Sequence, residues 1–446
     1  MQLRYYQNDA FQAFRETFAS GVTRILYQGL TGSGKTVLFA FVCLNAVKLG
    51  NTVCILVHRR ELLNQASRAL TTLGIYHGII SPDHNPIEAM VQVASKDTLR
   101  NRGGAKFDLL IIDEAHHATA RTYQRIIEQA EFVLGVTATP CRLTGTGLGT
   151  IFEELICGPQ YSELCPEFLA PYVYYAPKCP IDFKRVRAIG GDYMKDELQR
   201  LMDQSHITGD IVKHYAKHLA GKPSICFTVS VQHAHHMAEI FRAHGYRAEA
   251  VDGAMKNFVR DAHIRSFSEG RLNVLLSCDL VNEGLDVPGA YGGIFARPSK
   301  SLVVVMQQWG RVLRPYEGKD AAIMLDHVGN CFRHGLPGQA REWSLEKGAI
   351  KPAKKVELQI RQCPSCYFVH TPSAVCPACG FKYMAKKKKQ PRYKSGELEV
   401  VEEISREERI RLIRDAITLA DYHKVGKQLG YKPGWAYNMA KRKGMR

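Results

Sequence analysis

The run GLTGSGKT (29–36) has the spacing G-x4-G-K-[ST]. It follows the apolar stretch ILYQ and leads into a helix-like segment beginning at Lys35. In that setting backbone N–H groups at Gly29, Gly32, Ser33 and Gly34 can wrap phosphate oxygens. The Lys35 ammonium can meet the β- and γ-phosphates, and the Thr36 hydroxyl can ligate Mg²⁺. A Gly-rich turn without a ligand is the alternative, and the strand-before, helix-after context argues against it. Downstream, LLIIDEAHH (109–117) ends an apolar run in two acids. Asp113 can hold Mg²⁺ through water, and Glu114 can orient and deprotonate an attacking water, because phosphoryl transfer depends on positioning and charge neutralisation. The same acids could cap a helix, but a cap does not account for the loop upstream. Far along the chain QQWGRVLRP (307–315) places Arg311 and Arg314 three apart, on one helical face. Two solvated arginines are the bland reading. The functional one is a pair of guanidiniums reaching a γ-phosphate held by another domain, so that hydrolysis is tied to closure.

A second constellation, CPSCYFVHTPSAVCPACG (363–380), consists of two Cys-Pro-x-Cys hooks. Cys363, Cys366, Cys376 and Cys379 form the ligand set of a tetrahedral structural Zn²⁺. A full shell leaves no open position for catalysis. His370, in the loop between the hooks, is read as exposed rather than as a fifth ligand. The other nine of the 13 cysteines are scattered, as Cys54 in VCILV and Cys226 in SICFT, where a thiol acts as a small buried hydrophobe. This usage suits a reducing compartment, in which disulfides do not persist.

These groups need elements to hold them. ILYQ (25–28), VCILV (53–57), LLIID (109–113) and FVLGV (132–136) read as buried parallel strands with amphipathic segments between them. SICFT (224–228), YRAEAV (246–251), NVLLS (273–277), GGIFA (292–296) and AAIML (321–325) form a second such series. A chain of 446 residues, 45% apolar, therefore predicts two α/β units in tandem. The boundaries expected are 1–155 for the first, 156–205 for an irregular Pro/Tyr-rich connector and 206–345 for the second. A Cys₄ element over 346–384, outside the motor, and a basic linker with a helical segment over 385–446 complete the chain. The linker holds Lys386 to Lys389. In the last segment Ile410, Ile413 and Ile417 mark a helical stripe, and Gly430 a stop.

The opening MQLRYYQNDAFQAF lacks an apolar leader region, and the longest apolar runs are strand-sized, which excludes a membrane span and predicts a cytoplasmic protein. Net charge is +17, and residues 351–446 hold 22 Lys+Arg against 9 Asp+Glu. Basic clusters release counterions from phosphates, so a nucleic acid is the economical partner; a merely solubilising tail is the alternative.

The ordered set of motifs over residues 1–335 resembles a superfamily 2 helicase of the DEAD/DEAH-box kind. Gln7 in LRYYQNDA takes the place of the adenine-reading Q motif, and GLTGSGKT that of motif I. VHRRELLNQ (57–65) looks like Ia, ASKDTL (94–99) like Ib, DEAH (113–116) like II and TATP (137–140) like III. SICFTVSVQHA resembles motif IV, LLSCDLVNEGLDVPG (275–289) V and QQWGRVLRP VI. The resemblance implies two RecA-like domains with ATP and Mg²⁺ between them. It places His116 with the catalytic residues Lys35, Asp113, Glu114, Arg311 and Arg314, and Gly284 and Asp286 with the nucleotide-binding ones. It also implies nucleic-acid backbone contacts at Arg59, Arg60, Thr98 and Thr228. The DEAH box, the TATP motif and the C-terminal cysteines resemble bacterial RadD-like DNA repair helicases and phage-encoded relatives. The broader likeness is to the motor of restriction-enzyme helicase subunits, although no nuclease constellation is present in the sequence. The implied protein is a monomer working on DNA, single-stranded or branched, with replication or repair partners, in a bacterial or phage-infected cytoplasm. The rival readings are a DEAH-type RNA helicase and a nucleic-acid-binding adaptor with a decayed motor. Intact Lys35, Glu114, Arg311 and Arg314 argue against decay.

Overall fold

Strands form where β-branched and other apolar residues run without interruption. The computed structural model describes residues 2–446 except 86, 103–105, 143–146, 177–182, 184–185, 203–204, 279–289, 317, 347–359, 384–405, 430, 432–433 and 444–446. Two compact units emerge, Met1–Met384 and Ala385–Arg446.

The first unit holds two parallel sheets. One contains β1 (Arg24–Gln28), β2 (Val53–Val57), β3 (His77–Ile80), β4 (Val91–Ser95), β5 (Phe107–Asp113), β6 (Ala130–Thr137) and β7 (Glu154–Cys157), in the order β3-β4-β2-β5-β6-β1-β7. All its pairings are parallel. Val53, Ile55 and Val57 enter the core on one face, while Cys54 and Leu56 enter the core on the other. Burial on both faces is why VCILV reads as a continuous apolar run rather than an alternation. β8 (Tyr172–Tyr175) comes next, then the hairpin of β9 (Ala188–Ile189) and β10 (Asp192–Tyr193). The second sheet adds β11 (Ser224–Phe227), β12 (Ala248–Val251), β13 (Val274–Ser277), β14 (Gly292–Phe295) and β15 (Ala322–Asp326), in the order β12-β13-β11-β14-β15-β8.

The stretch 156–205, expected as irregular, thus supplies an edge strand. β8 pairs in parallel with β15, Tyr172 opposite Ala322. Pro166, Pro171 and Pro177 surround this four-residue run, and such breakers mask a short strand in sequence. β3 and β4 carry Gly, His, Gln and Ser and stand out as little.

The Cys₄ element also departs from expectation. Rather than lying outside the motor, it is built onto the second sheet. β16 (Arg361–Gln362) and β17 (Val369–His370) form its hairpin. Phe368 bridges to Tyr175, and Val369 is buried in the same core cluster as Phe295 and Met324.

The second unit consists of helices Arg406–Asp415, Leu419–Gln428 and Gly434–Arg442. The middle one starts at a capping box, in which Thr418 Oγ1 accepts from Asp421 N–H at 3.2 Å and the Asp421 carboxylate accepts from Thr418 N–H at 2.8 Å. Of the expected stripe Ile413 packs on its core, whereas Ile410 and Ile417 are exposed. Tyr422, Val425, Ala436 and Ala440 are buried instead. The first helix ends at Asp415, so Ile417 lies outside it and does not continue the face of Ile410 and Ile413. Gly430 and Lys386 to Lys389 lie outside the described residues.

Candidate nucleotide site and cysteine cluster

In the first sheet all strands run the same way, so the segments leaving their carboxyl ends share one edge. Along it stand, in sheet order, Thr98 after β4, Arg59 after β2, Asp113 and Glu114 at β5, Thr137 to Thr139 at β6 and the glycine-rich loop after β1.

The loop is tied down from several sides. Gly29 N–H donates to Thr137 O at 2.9 Å, and Ser33 N–H to Leu30 O at 3.1 Å. Gly34 caps the helix Lys35–Lys48 at φ 80°, and a Cβ there would meet Gln7 Nε2 at 2.6 Å, so glycine is required on both counts. Gln7 is buried. Its Nε2 donates to Gly34 O at 3.1 Å and Ser33 O at 3.3 Å, and its Oε1 accepts from Arg4 N–H at 2.9 Å. The amide expected to read adenine thus braces the phosphate loop here. Tyr6, which the motif reading missed, adds its hydroxyl to Ser33 O at 2.8 Å.

Lys35 donates from Nζ to Gly29 O at 3.1 Å and Leu30 O at 3.3 Å. Burial pushes its pKa down, against the pull of Glu114 and Asp113. Burial likewise raises Asp113 to about 7, helped by Glu114 beside it and opposed by Lys35 and Arg311. The Asp113 carboxylate and the Thr36 hydroxyl are oxygen donors of the kind Mg²⁺ takes, so the donor chemistry fits that ion. Gln65 Nε2 lies 3.4 Å from Thr36 Oγ1 and connects this hydroxyl to the helix Arg60–Thr72. No motif spacing singles that contact out.

Glu114 adopts φ 51°, a left-handed conformation unusual for a side chain with a Cβ. His116 is buried, with Nδ1 3.3 Å from Glu114 Oε2 and 3.2 Å from Thr137 Oγ1. Thr137 Oγ1 in turn donates to Thr139 O at 3.1 Å. The acid is thereby connected to the segment after β6.

The second sheet contributes the helix Leu302–Val312, whose Gly310 packs on Thr31 of the loop. Arg311 is buried and weighs on both Lys35 and Asp113, while Arg314 weighs on Lys35. Lys319 holds the end of this helix: its Nζ donates to Ala290 O at 2.7 Å, to Arg314 O at 3.0 Å and to Val312 O. Arg260 and Glu61, from the two sheets' layers, pair at 2.9 Å. Gly284 and Asp286 lie outside the described residues.

Of the expected nucleic-acid contacts, Arg60 is exposed and pairs with Asp83 at 3.3 Å, and Arg59 and Thr98 are half-buried. Thr228 is a correction. It is fully buried, with its hydroxyl 3.3 Å from Ser230 O, and leaves no hydroxyl for a strand.

The four cysteine sulfurs lie within 4.8 Å of one another, Cys363 to Cys379 at 3.6 Å and Cys366 to Cys376 at 3.7 Å. Thiolates about 2.3 Å from a tetrahedral zinc stand about 3.8 Å apart, so the set fits the ion. Burial would raise the Cys363 thiol, but the N–H groups of Cys366 and Ser365 and the neighbouring sulfurs bring it down to about 6. His370 is buried rather than exposed. Its Nε2 bonds to the Tyr383 hydroxyl at 2.8 Å. Of the scattered cysteines, Cys54 and Cys226 are buried as expected and Cys157 is exposed.

Residues 1–142 match the family described as Type III restriction enzyme, res subunit, and residues 207–316 the Helicase conserved C-terminal domain. A 51.5 kDa protein of a Lactococcus phage is 34% identical over 84% of this chain and 82% of its own. The chain belongs to the superfamily 2 helicases. The Saccharomyces cerevisiae protein IRC3, named as an ATP-dependent helicase, is 30% identical over 73% of this helicase, which spans 51% of the yeast protein's length. Among solved structures, the Type ISP restriction-modification enzyme LlaBIII bound to DNA superposes with a TM-score of 0.57 at 16% identity, covering 74% of this chain and 28% of that one. An HsdR fragment of a type I restriction enzyme from Vibrio vulnificus gives 0.57 at 21%, over 75% and 67%. These likenesses confirm the two RecA-like domains. No helix of the described residues is long and apolar enough to cross a membrane.

Proposed function

We propose that this helicase hydrolyses ATP between its two RecA-like domains to move along DNA. The observation that carries the reading is the meeting of Lys35, Asp113 and Glu114 from one domain with Arg311 from the other in a single buried charge cluster. The loop at 29–36 binds the phosphates, and Asp113 and Thr36 would hold Mg²⁺, which would supply charge neutralisation to the phosphoryl group being transferred. Glu114 takes the proton of the attacking water, with His116 fixing its carboxylate against the segment after β6. Arg311 and Arg314 meet the charge that builds during transfer, and only a closed pair of domains brings them there. Closure therefore couples turnover to movement.

A nucleic-acid partner is supported by the basic segment at 351–446 and by Arg59 and Arg60 beside β2. The res-subunit match over residues 1–142 supports DNA over RNA. In a bacterial or phage-infected cytoplasm the role would be replication, recombination or repair, for a monomer carrying one structural zinc. ATPase assays with DNA single strands, forks, duplexes and RNA test the reading. DNA-stimulated turnover that Lys35→Ala abolishes is expected; stimulation by RNA alone would assign the chain to RNA, and no turnover with any polymer would make it an adaptor.

A further inference from the structure

A cavity of about 180 Å³ lies away from the nucleotide site, where the first cysteine hook meets the carboxyl ends of β8 and β15 and the helix Ser205–His218. Its walls carry aromatic rings beside Leu325, Cys366 and Asp326, whose carboxylate is already engaged by the Tyr174 hydroxyl and the Val328 and Cys331 N–H groups. The Tyr175 and His218 rings stand 4.1 Å apart, and those of His214 and His327 5.1 Å apart. At the rim Lys213 and Lys217 are exposed, one helical turn apart, and neither has an ion-pair partner among the described residues. Two such cations beside an aromatic slot favour a ligand with both a flat face and negative charge.

The hook supplies a second, independent observation. After the second cysteine each hook turns through a left-handed residue. In CPACG that residue is Gly380, at φ 74°, as the backbone prefers. In CPSCY it is Tyr367, at φ 62°, with its side chain 46% exposed at the cavity. A bulky residue in this conformation is disfavoured, and burial does not compensate for it here. Its ring is held out where a stacking partner can reach it.

We propose that this cavity receives an unpaired base of a single-stranded nucleic acid, stacked on Tyr367, with the flanking phosphates on Lys213 and Lys217. The assignment rests on the helicase reading and adds a contact point outside its motifs. Stacking is indifferent to base identity, as a moving motor requires.

The test uses the full chain and labelled oligo-dT and oligo-U of about 12 nucleotides, with affinity measured by anisotropy over a salt series. Tyr367→Gly suits the backbone, so zinc content and Tm are expected to hold while affinity falls about 5- to 160-fold. Lys213→Ala with Lys217→Ala changes only an exposed helix surface and is expected to lower the salt slope by about 1.4. Should Tyr367→Gly lose zinc, the lysine pair alone decides. Loss confined to one polymer supports the cavity equally and identifies the strand. Strand-stimulated ATPase in the wild type, with both variants binding as tightly and as steeply as it does, overturns the cavity and leaves the helicase reading standing. A wild type that neither binds nor responds to any strand overturns both.

Discussion

Gly310 packs against Thr31 so closely that a methyl group at 310 would overlap the threonine side chain. One residue belongs to the phosphate loop of the first domain, the other to the arginine-bearing helix of the second. Closure of the two domains is registered at this contact. Gly310→Ala is therefore expected to leave ATP binding near normal and to cut maximal turnover by at least about tenfold, since Arg311 is displaced from where charge develops. Adding Thr31→Gly removes the overlapped atoms and should restore part of the rate. Stimulated ATPase and nucleotide affinity on the three variants check this; a Gly310→Ala protein with wild-type turnover would dissociate the contact from catalysis.

Glu114→Gln should bind ATP and turn it over at least about a hundredfold more slowly, because an amide can orient water but cannot take its proton. Arg314→Ala should also keep nucleotide and lose rate. Equilibrium binding of a labelled nucleotide alongside steady-state turnover separates the two roles. Loss of binding in either variant, with normal turnover per bound nucleotide, would reverse the assignment.

Much of the proposed site was legible because its residues sit at fixed offsets from strands that are themselves continuous apolar runs. Lys35, Asp113 and Arg311 are examples, and the fold brings them together. Contacts that depend on two distant backbones were not legible: Gln65 on Thr36, Lys319 on three carbonyls, and Gly310 on Thr31 have no local signature. Thr228 was misread for a related reason, since a residue just past a strand can face either the core or the solvent. β8 was hidden by flanking prolines, and with it the docking of the cysteine element on the second sheet.

That docking changes what zinc removal should do. Val369 and Phe368 pack on the second domain, so losing the metal should loosen more than a remote appendage. Cys366→Ser with Cys379→Ser is expected to abolish one bound zinc per chain, by metal analysis, and to destabilise the chain by about 2 kcal/mol, the scale of one buried valine. Thermal unfolding with and without chelator reads it. Unchanged Tm after complete zinc loss would mean that the hairpin docks without its metal.

His327 is buried beside His214, and burial lowers its pKa to about 3. A histidine held neutral when folded contributes full stability above its unfolded value of about 6.5 and loses it as pH falls toward 3. Between pH 6.5 and 5 that amounts to about 2 kcal/mol, at 1.36 kcal/mol per pH unit. His327→Leu should therefore flatten the acid limb of the stability profile by this amount, measured as denaturant midpoints across pH. Parallel profiles for the two proteins would show that the ring is not the acid-sensitive group.

The cysteine element and the basic tail can be separated at Met384, where the first compact unit ends. Residues 385–446 carry 17 Lys+Arg against 8 Asp+Glu, whereas a cut at Gln362 would also strip Val369 from the core of the second domain. A chain ending at Met384 should keep its zinc, its fold and its basal hydrolysis, because Lys35, Glu114 and Arg311 all lie in the retained unit. Nucleic-acid affinity should fall, and the salt dependence should flatten by about 0.9 log units per log unit of salt for each duplex phosphate that the tail no longer neutralises, or about 0.7 on single strands. More polymer would then be needed to reach half-maximal ATPase. If the tail only keeps the protein soluble, the full and shortened chains should give parallel salt plots and equal stimulation. Binding measured at several salt concentrations on both chains distinguishes the two, and parallel plots would remove the tail from the nucleic-acid interface.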